Sequence, residues 1–402
     1  MKKIIIVLVI IVAGFSTFYL LQERSEEKVD LREPEELTEL SFAMTDFSFN
    51  AFFEVAKEGE NVFISPYSMH TALTMAYRGA DGDTAAEMAE VLGLTEMEME
   101  RVLKDSLGLK NYLEFSDKNE LSIANTFFLR EGIPFLESYK SDGEKYFEAE
   151  MSELPETGEP INDWVYEKTG EKIEEIIDNG PIDDNIIAYL VNAIYFQGNW
   201  AEEFDEDKTR PDSFQTPDGE VEVEMMENEA EYKYGISEDL KSATIEYEDG
   251  DFLFHVFMPI EKNLEEFYEE FDPDYFQDIK PTNKSEIVLR MPKFTLEDEL
   301  GMIDTLEALG MEKAFDMGDA NFSKMVDLEG LGLNVFISDV LHASFIEVNE
   351  EGTEAAAATA VEMELESAPM RLEFNRPFLF VIEEPETKTI LFIGQLVDPT
   401  QD

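Results

Sequence analysis

The segment from Asn349 to Met370, NEEGTEAAAATAVEMELESAPM, has the residue preferences of more than one conformation. Its centre, Glu354 to Ala360, is small and alanine-rich, which favours helix. From Thr353 to Glu366 it also alternates. Thr353, Ala355, Ala357, Thr359, Val361, Met363 and Leu365 take every second position, with Glu354, Ala356, Ala358, Ala360, Glu362, Glu364 and Glu366 between them. One set is small or apolar, and the other ends in three glutamates. That is the period of a strand buried on one face. The segment follows directly on VFISDVLHASFIEVNEEG, which reads as a long strand. Any fold for this chain has to reconcile these preferences.

The remaining pattern predicts strands mixed with helices without strict alternation, an α+β class. Glu39 to Lys57 has Phe, Leu and Val at helical spacing and opens the folded part. NVFISPYSMHTALTMAYRGADGDTAAEM predicts a short strand, a turn at Ser65-Pro66, a buried helix ended by Gly79, and a next helix capped by Thr84. ELSIANTFFLREG alternates as a strand, and INDWVYEKTGEKIEEII is amphipathic as a helix. NIIAYLVNAIYFQGNW is almost wholly apolar, as in a strand buried on both faces. ATIEYEDGDFLFHVFMP contains an Asp-Gly hairpin turn. SEIVLRMPKFTLED reads as one strand and RPFLFVIEEPETKTILFIGQLVDP as a terminal hairpin. No Pro-, Ser- or Gly-rich linker follows about residue 40, so one large domain is expected. With 44% hydrophobic residues and 31 Phe, the chain can fill a core of that size.

Residues 1–22 read as a signal peptide or signal anchor: Lys2 and Lys3 precede an apolar run from Ile4 to Leu21. Residues 23–37 read as an acidic tether and 38–402 as the folded domain. This places the protein outside the cytoplasm, secreted or tethered to the outer face of the membrane. The formal net charge of -62 is spread along the chain, and the apolar content argues against a disordered polyanion. Such a surface repels itself at low ionic strength, and at ~1 M salt the screening length falls to roughly 3 Å. The charge is read as adaptation to a saline medium. It argues against nucleic acid and anionic lipid as partners.

Chemistry-bearing motifs are sparse. There is no Cys, hence no disulfide or thiolate site. His70 and His342 lie in core contexts, and His255 is the third histidine. No nucleophile elbow, phosphate loop or paired-histidine metal spacing accompanies them. Glu96, Glu98 and Glu100 read as a solvated face. Asn283-Lys284-Ser285 and Asn321-Phe322-Ser323 match glycosylation sequons, a short pattern frequent by chance. No catalytic residue, cofactor or metal is assigned, and the expectation is a protein that is not an enzyme.

Five motifs occur in order: NVFISPYSMHTALTMAYRGADGDTAAEM, LVNAIYFQGNW, MPKFTLEDEL, VLHASFIEVNEEGTEAAAATA and FNRPFLFVI followed by GQLVDPTQ. Over about Leu40 to Gln401 the chain resembles the serpins, the serine protease inhibitors, and specifically an acidic, prokaryotic, halophile-like member of inhibitory type. The resemblance implies the serpin fold: a large central mixed β-sheet, two smaller sheets, eight or nine helices, and an exposed reactive-centre loop at about 350–373. It implies a suicide substrate, whose loop is cut by the protease and then inserts into the main sheet with the enzyme trapped as an acyl-enzyme. The alternative is a noninhibitory serpin acting as a binding or chaperone-like protein.

The resemblance also assigns roles. Glu350, Glu351, Gly352, Thr353, Glu354, Ala355, Ala356, Ala357 and Ala358 match the hinge. Counting from Gly352 puts the reactive bond between Glu366 and Ser367, with Leu365 as rival for the residue before the cut. The target would be a glutamate-selective serine protease, or an elastase- or subtilisin-like enzyme if Leu365 is used. Ser65, Ser68, Asn192 and His342 match a polar cluster under the opening of the main sheet. Trp200 matches the aromatic at its top, and Lys293 with Glu350 a charge pair at the loop base. A monomer is expected. The stretch from Leu94 to Glu120 is short and lacks a basic run, so glycosaminoglycan activation is not implied. The small inward residues Thr353, Ala355, Ala357 and Thr359 suit insertion, because an unpaired charge there would cost several kcal/mol to bury.

Overall fold

The computed structural model describes residues 33–57, 59–115, 118–328, 334–353 and 370–401. The proposed leader 1–22, the reactive-bond residues Leu365, Glu366 and Ser367, and the hinge residues Glu354 to Ala358 lie outside them.

The first helix, α1 (Pro34–Val55), starts at a proline and carries Glu35 and Glu36 in its first turn, where a helix favours both. Leu37, Leu40, Met44, Phe47 and Ala51 recur on its buried face. Residues 34–37, read as the end of the tether, lie in α1, and Leu37 among them is fully buried and packs on the core. Strand β1 (Val62–Ile64) leads through the N-cap Ser65 into α2 (Pro66–Gly79), nearly all of it buried. Helix α3 (Gly82–Val91) is preceded by Asp81, not capped by Thr84. Thr84 lies inside the helix, buried, and its hydroxyl accepts from the Asn321 amide at 3.0 Å. Then come α4 (Met99–Leu113), β2 (Glu120–Leu129), α5 (Glu137–Phe147), β3 (Glu150–Glu153) and α6 (Glu159–Lys168). Helix α6 is shorter than its amphipathic pattern because Gly170 and Glu171 adopt left-handed backbone, at φ 63° and 67°.

The chain continues with β4 (Ala188–Asn199), β5 (Arg210–Thr216), β6 (Gly219–Ile236), β7 (Leu240–Glu246) and β8 (Leu253–Pro259). Helices α7 (Leu264–Tyr268) and α8 (Pro273–Ile279) precede β9 (Asn283–Pro292) and β10 (Phe294–Gly301). Last are α9 (Ile303–Ala308), β11 (Asp339–Val348), β12 (Gly352–Thr353), β13 (Met370–Glu373), β14 (Phe378–Glu384) and β15 (Thr389–Leu396). Strands β9 and β10, expected as one, break at Lys293 and enter different sheets.

Among the described residues there are nine α-helices and two sheets. The six-stranded main sheet runs β10-β11-β12-β4-β2-β3. The other, nine-stranded, runs β1-β15-β14-β8-β7-β6-β9-β13, with β5 on β6. The two smaller sheets expected are thus one hydrogen-bonded ladder. The 18-residue β6 joins them, pairing with β5 and β9 along most of its length and with β7 at its end. Strands β4 and β11 are covered on both faces. Leu190, Ile194 and Phe196 enter the large core, and Val191, Ala193, Leu341 and Ala343 pack under α6 with Ile161 and Val165. This two-sided burial is why β4 is almost wholly apolar. Among the described residues, no helix is long and apolar enough to cross a membrane.

Candidate functional site

The site is the seam between β4 and β11. These strands pair in parallel from Asp339–Tyr189 to Phe345–Tyr195. Beyond that they part, and β12 fills the gap, antiparallel to both: Thr353 lies opposite Val348 and Gly198, Gly352 opposite Asn199.

Below the gap the polar cluster crosses the seam. His342 and Asn192 are register partners, and His342 Nδ1–H donates to Asn192 Oδ1 at 2.7 Å. His342 Nε2 accepts from the Ser65 amide at 3.1 Å, so the ring is the neutral tautomer with its proton on Nδ1. Burial holds its pKa down to about 3. Asn192 Nδ2 donates to Ser68 Oγ and to Asn125 Oδ1, the latter at 2.7 Å. Ser65 Oγ accepts from the Ser68 amide at 3.2 Å and donates to the Leu391 carbonyl at 2.7 Å. All four expected residues come together, fully buried. Asn125 was missed. It had a signal: an amide on the otherwise apolar β2 face shared by Leu121, Ile123, Phe127 and Leu129.

Above the cluster is the hinge. After β11 the chain turns over Asn349, whose amide donates to the Gly352 carbonyl at 3.0 Å and whose side-chain oxygen accepts from the amides of Glu351 and Gly352. Trp200 holds the turn: its amide donates to the Glu351 carbonyl at 2.9 Å and its indole N–H to the Asn349 carbonyl at 3.0 Å. Its ring stacks on Tyr247 at 4.5 Å. Lys293 Nζ lies 2.7 Å from Glu350, which also accepts from Thr209 at 2.7 Å. Burial would raise the Glu350 carboxyl, but Lys293 and Thr209 outweigh it and hold its pKa below the usual range. Gly352 passes so close to β4 that an added Cβ would clash with the Gly198 carbonyl and stand 2.7 Å from Asn199 Cα. Thr353 is fully buried and shares a 2.7 Å hydrogen bond with the Tyr247 hydroxyl, a partner the sequence did not suggest. Past residues 354–369 the chain resumes in the other sheet, where β13 pairs with β9. Arg290–Glu373 and Arg371–Glu227 ion pairs bind that end.

The other histidines are interior. His70 binds the Leu92 carbonyl, and burial lowers its pKa to about 4. His255 stands between Thr244 at 2.9 Å and Glu383 at 3.1 Å, with Lys280 on Glu383. Hydroxyl, imidazole and carboxylate are all buried there and Lys280 completes the charge pairing, so the trio is a structural network. Among the described residues no group of three or more acids or histidines could hold a metal ion.

Comparison with known proteins follows this geometry. Residues 42–399 match the family model described as Serpin (serine protease inhibitor). Human Serpin B8 is 35% identical over 384 residues, covering 90% of this chain and 100% of that protein. An uncharacterized serpin-like protein of Methanosarcina acetivorans is 32% identical, covering 90% of this chain and 86% of its own. Among solved structures, the native thermophilic serpin tengpin superposes with a TM-score of 0.82 at 30% identity, over 90% of this chain and 94% of its own. Human thyroxine-binding globulin gives 0.83 at 27% identity, over 91% and 100%.

Proposed function

The chain belongs to the serpin family, and on that premise we propose that it is a single-use inhibitor of serine proteases working outside the cytoplasm. The observation that carries the reading is the seat of Gly352 and Thr353 between β4 and β11. The gap is already started, and the next inward residues, Ala355, Ala357 and Thr359, are small enough to extend it.

In the proposed reaction the protease serine hydroxyl adds to the Glu366 carbonyl. The bond to Ser367 breaks, the new amine leaves, and Glu366 stays on the enzyme as an ester. Residues 354–366 then extend β12. To admit them, β4 and β11 give up seven parallel residue pairs and the His342–Asn192 bond. Each strand regains an antiparallel partner, so the ladder ends with more bonds than it began. The tethered protease is carried along and distorted before water reaches the ester. The target is a glutamate-selective enzyme, or an elastase- or subtilisin-like one if Leu365 precedes the cut. The extracytoplasmic location rests on Lys2, Lys3 and the apolar run after them.

The test is a gel. The protein, incubated with a panel of serine proteases, is expected to give a detergent-stable complex with at least one; cleavage without complex across the panel overturns the reading. One observation favours a second reading, a noninhibitory binding protein. A cavity of about 650 Å³ opens beside α7, lined by Phe53, Ile260, Leu264, Tyr268, Arg376 and Val397 among others. Arg376 donates to the Ile260 carbonyl there, and its buried Nε has no partner. One structural neighbour was solved as a complex with thyroxine. Saturable binding of thyroxine or another apolar carboxylate, with no protease complex, would establish that reading instead.

A further inference from the structure

Strand β1 is the edge of the nine-stranded sheet, and its free side packs against β10 and β11 of the main sheet. Side chains from those two strands take hold of its backbone. Asp298 on β10 accepts from the Phe63 amide at 2.5 Å, and Ser344 on β11 donates to the Phe63 carbonyl at 2.8 Å. Asp298 and Ser344 are register partners, so one rung of the main sheet grips both polar groups of one residue. Two residues on, the Ser65 amide donates to His342. Residues 63–65 therefore fasten the N-terminal end of α2, and Ser65 and Ser68 with it, to the strand that must part from β4.

We propose that Asp298, through its hold on Phe63, is a positioning residue for the closed main sheet, and that the charge state of its carboxyl tunes that closure. Burial pushes this carboxyl up to about 7 against the opposing pull of the Phe63 amide. The charged groups that reach it are Glu299 on its own strand and Glu60 in the loop before β1, both repulsive. His342, across on β11, is neutral. The sign follows. The folded carboxyl titrates above its ordinary value of 3.8, so the closed state favours the proton. Its contribution is full below the ordinary value and is lost as pH rises through about 7. The effect on inhibition rests on the insertion mechanism proposed above; the effect on stability does not.

The experiment compares the uncleaved protein with Asp298→Asn, which keeps an acceptor for the Phe63 amide but cannot ionise. Thermal midpoints are taken from about pH 5 to about pH 8 in molar salt, which screens the rest of the surface. The parent is expected to lose several degrees more than the variant, with the inflection near neutrality. Glu60→Gln, a change at an exposed position, is compared with the parent at the lowest salt at which the fold holds, where the charge of Glu60 still reaches Asp298; it should move the parent's inflection to lower pH, and it decides the matter if Asp298→Asn fails to fold. Parallel profiles for parent and Asp298→Asn, or an inflection that Glu60→Gln leaves in place, overturn the proposal. With an inhibited protease, the fraction of cleavages ending in complex should rise with pH in the parent and stay flat in Asp298→Asn. If no protease is trapped at any pH, the insertion mechanism fails, while the midpoints still decide the role of Asp298.

Discussion

Thr353 has no room for a longer side chain. It is fully buried between two strands, its hydroxyl bonded to Tyr247 and the Tyr247 ring closed off by Trp200 and Phe196. Thr353→Arg would put an unpaired cation in that seat, at a cost of several kcal/mol. The variant is expected to be cut by the protease at the parent rate but to form no detergent-stable complex, as read on the same gel; full trapping by it would rule out insertion through this gap. The bait residue is a separate matter, because a pocket discriminates a charge far more sharply than a methylene. Glu366→Arg is expected to redirect inhibition toward trypsin-like enzymes, and mass spectrometry of the released fragment should show a new N-terminus at Ser367. An N-terminus at Glu366 would transfer the role to Leu365.

At the scale of elements, the seam is kept short of strands by its own construction. Strands β4 and β11 pair in parallel below and are held apart above by only two residues of β12. A full strand between them would exchange one parallel ladder for two antiparallel ones and bury the small residues that follow Thr353. Nicking the loop is therefore expected to raise the thermal midpoint well above that of the intact protein, checked by melting scans before and after limited proteolysis. An unchanged midpoint would favour the binding-protein reading. A raised midpoint would mean that, under the proposed mechanism, the intact fold persists in part because opening the seam is slow. The cluster of His342, Asn192, Ser68 and Asn125 contributes to that barrier, since parting the strands exposes buried polar groups before new partners arrive.

Over the whole molecule the charge cannot be balanced by pairing. With 92 acidic and 30 basic residues, 62 acids stay unmatched even if every cation takes one. Arg290 alone draws Asp212, Glu227 and Glu373 around it. Repulsion among the remainder falls as the screening length shrinks to roughly 3 Å at ~1 M salt. The thermal midpoint is expected to climb from low salt toward molar salt; a flat profile would reject adaptation to a saline medium.

What the sequence determined by itself was its long apolar runs and its strongest helix breakers. Strands β4, β14 and β15 were legible because two-sided burial leaves a largely apolar run, and α2 because Ser65-Pro66 and Gly79 bracket it. The alternation after Gly352 is a pattern of the sequence, and all of it beyond Thr353 lies outside the described residues. The polar cluster and the Lys293–Glu350 pair were named only through resemblance, for their members lie far apart along the chain. Tertiary structure decided the rest. Helix α1 reaches back to Pro34 because a core waits for Leu37. The run from Ser285 to Asp298 breaks at Lys293 because two sheets compete for its halves. Tyr247 meets Thr353, and Asp298 meets Phe63, across gaps in sequence that no periodicity encodes, since a hydrogen bond depends on where the folded chain brings its donor and acceptor.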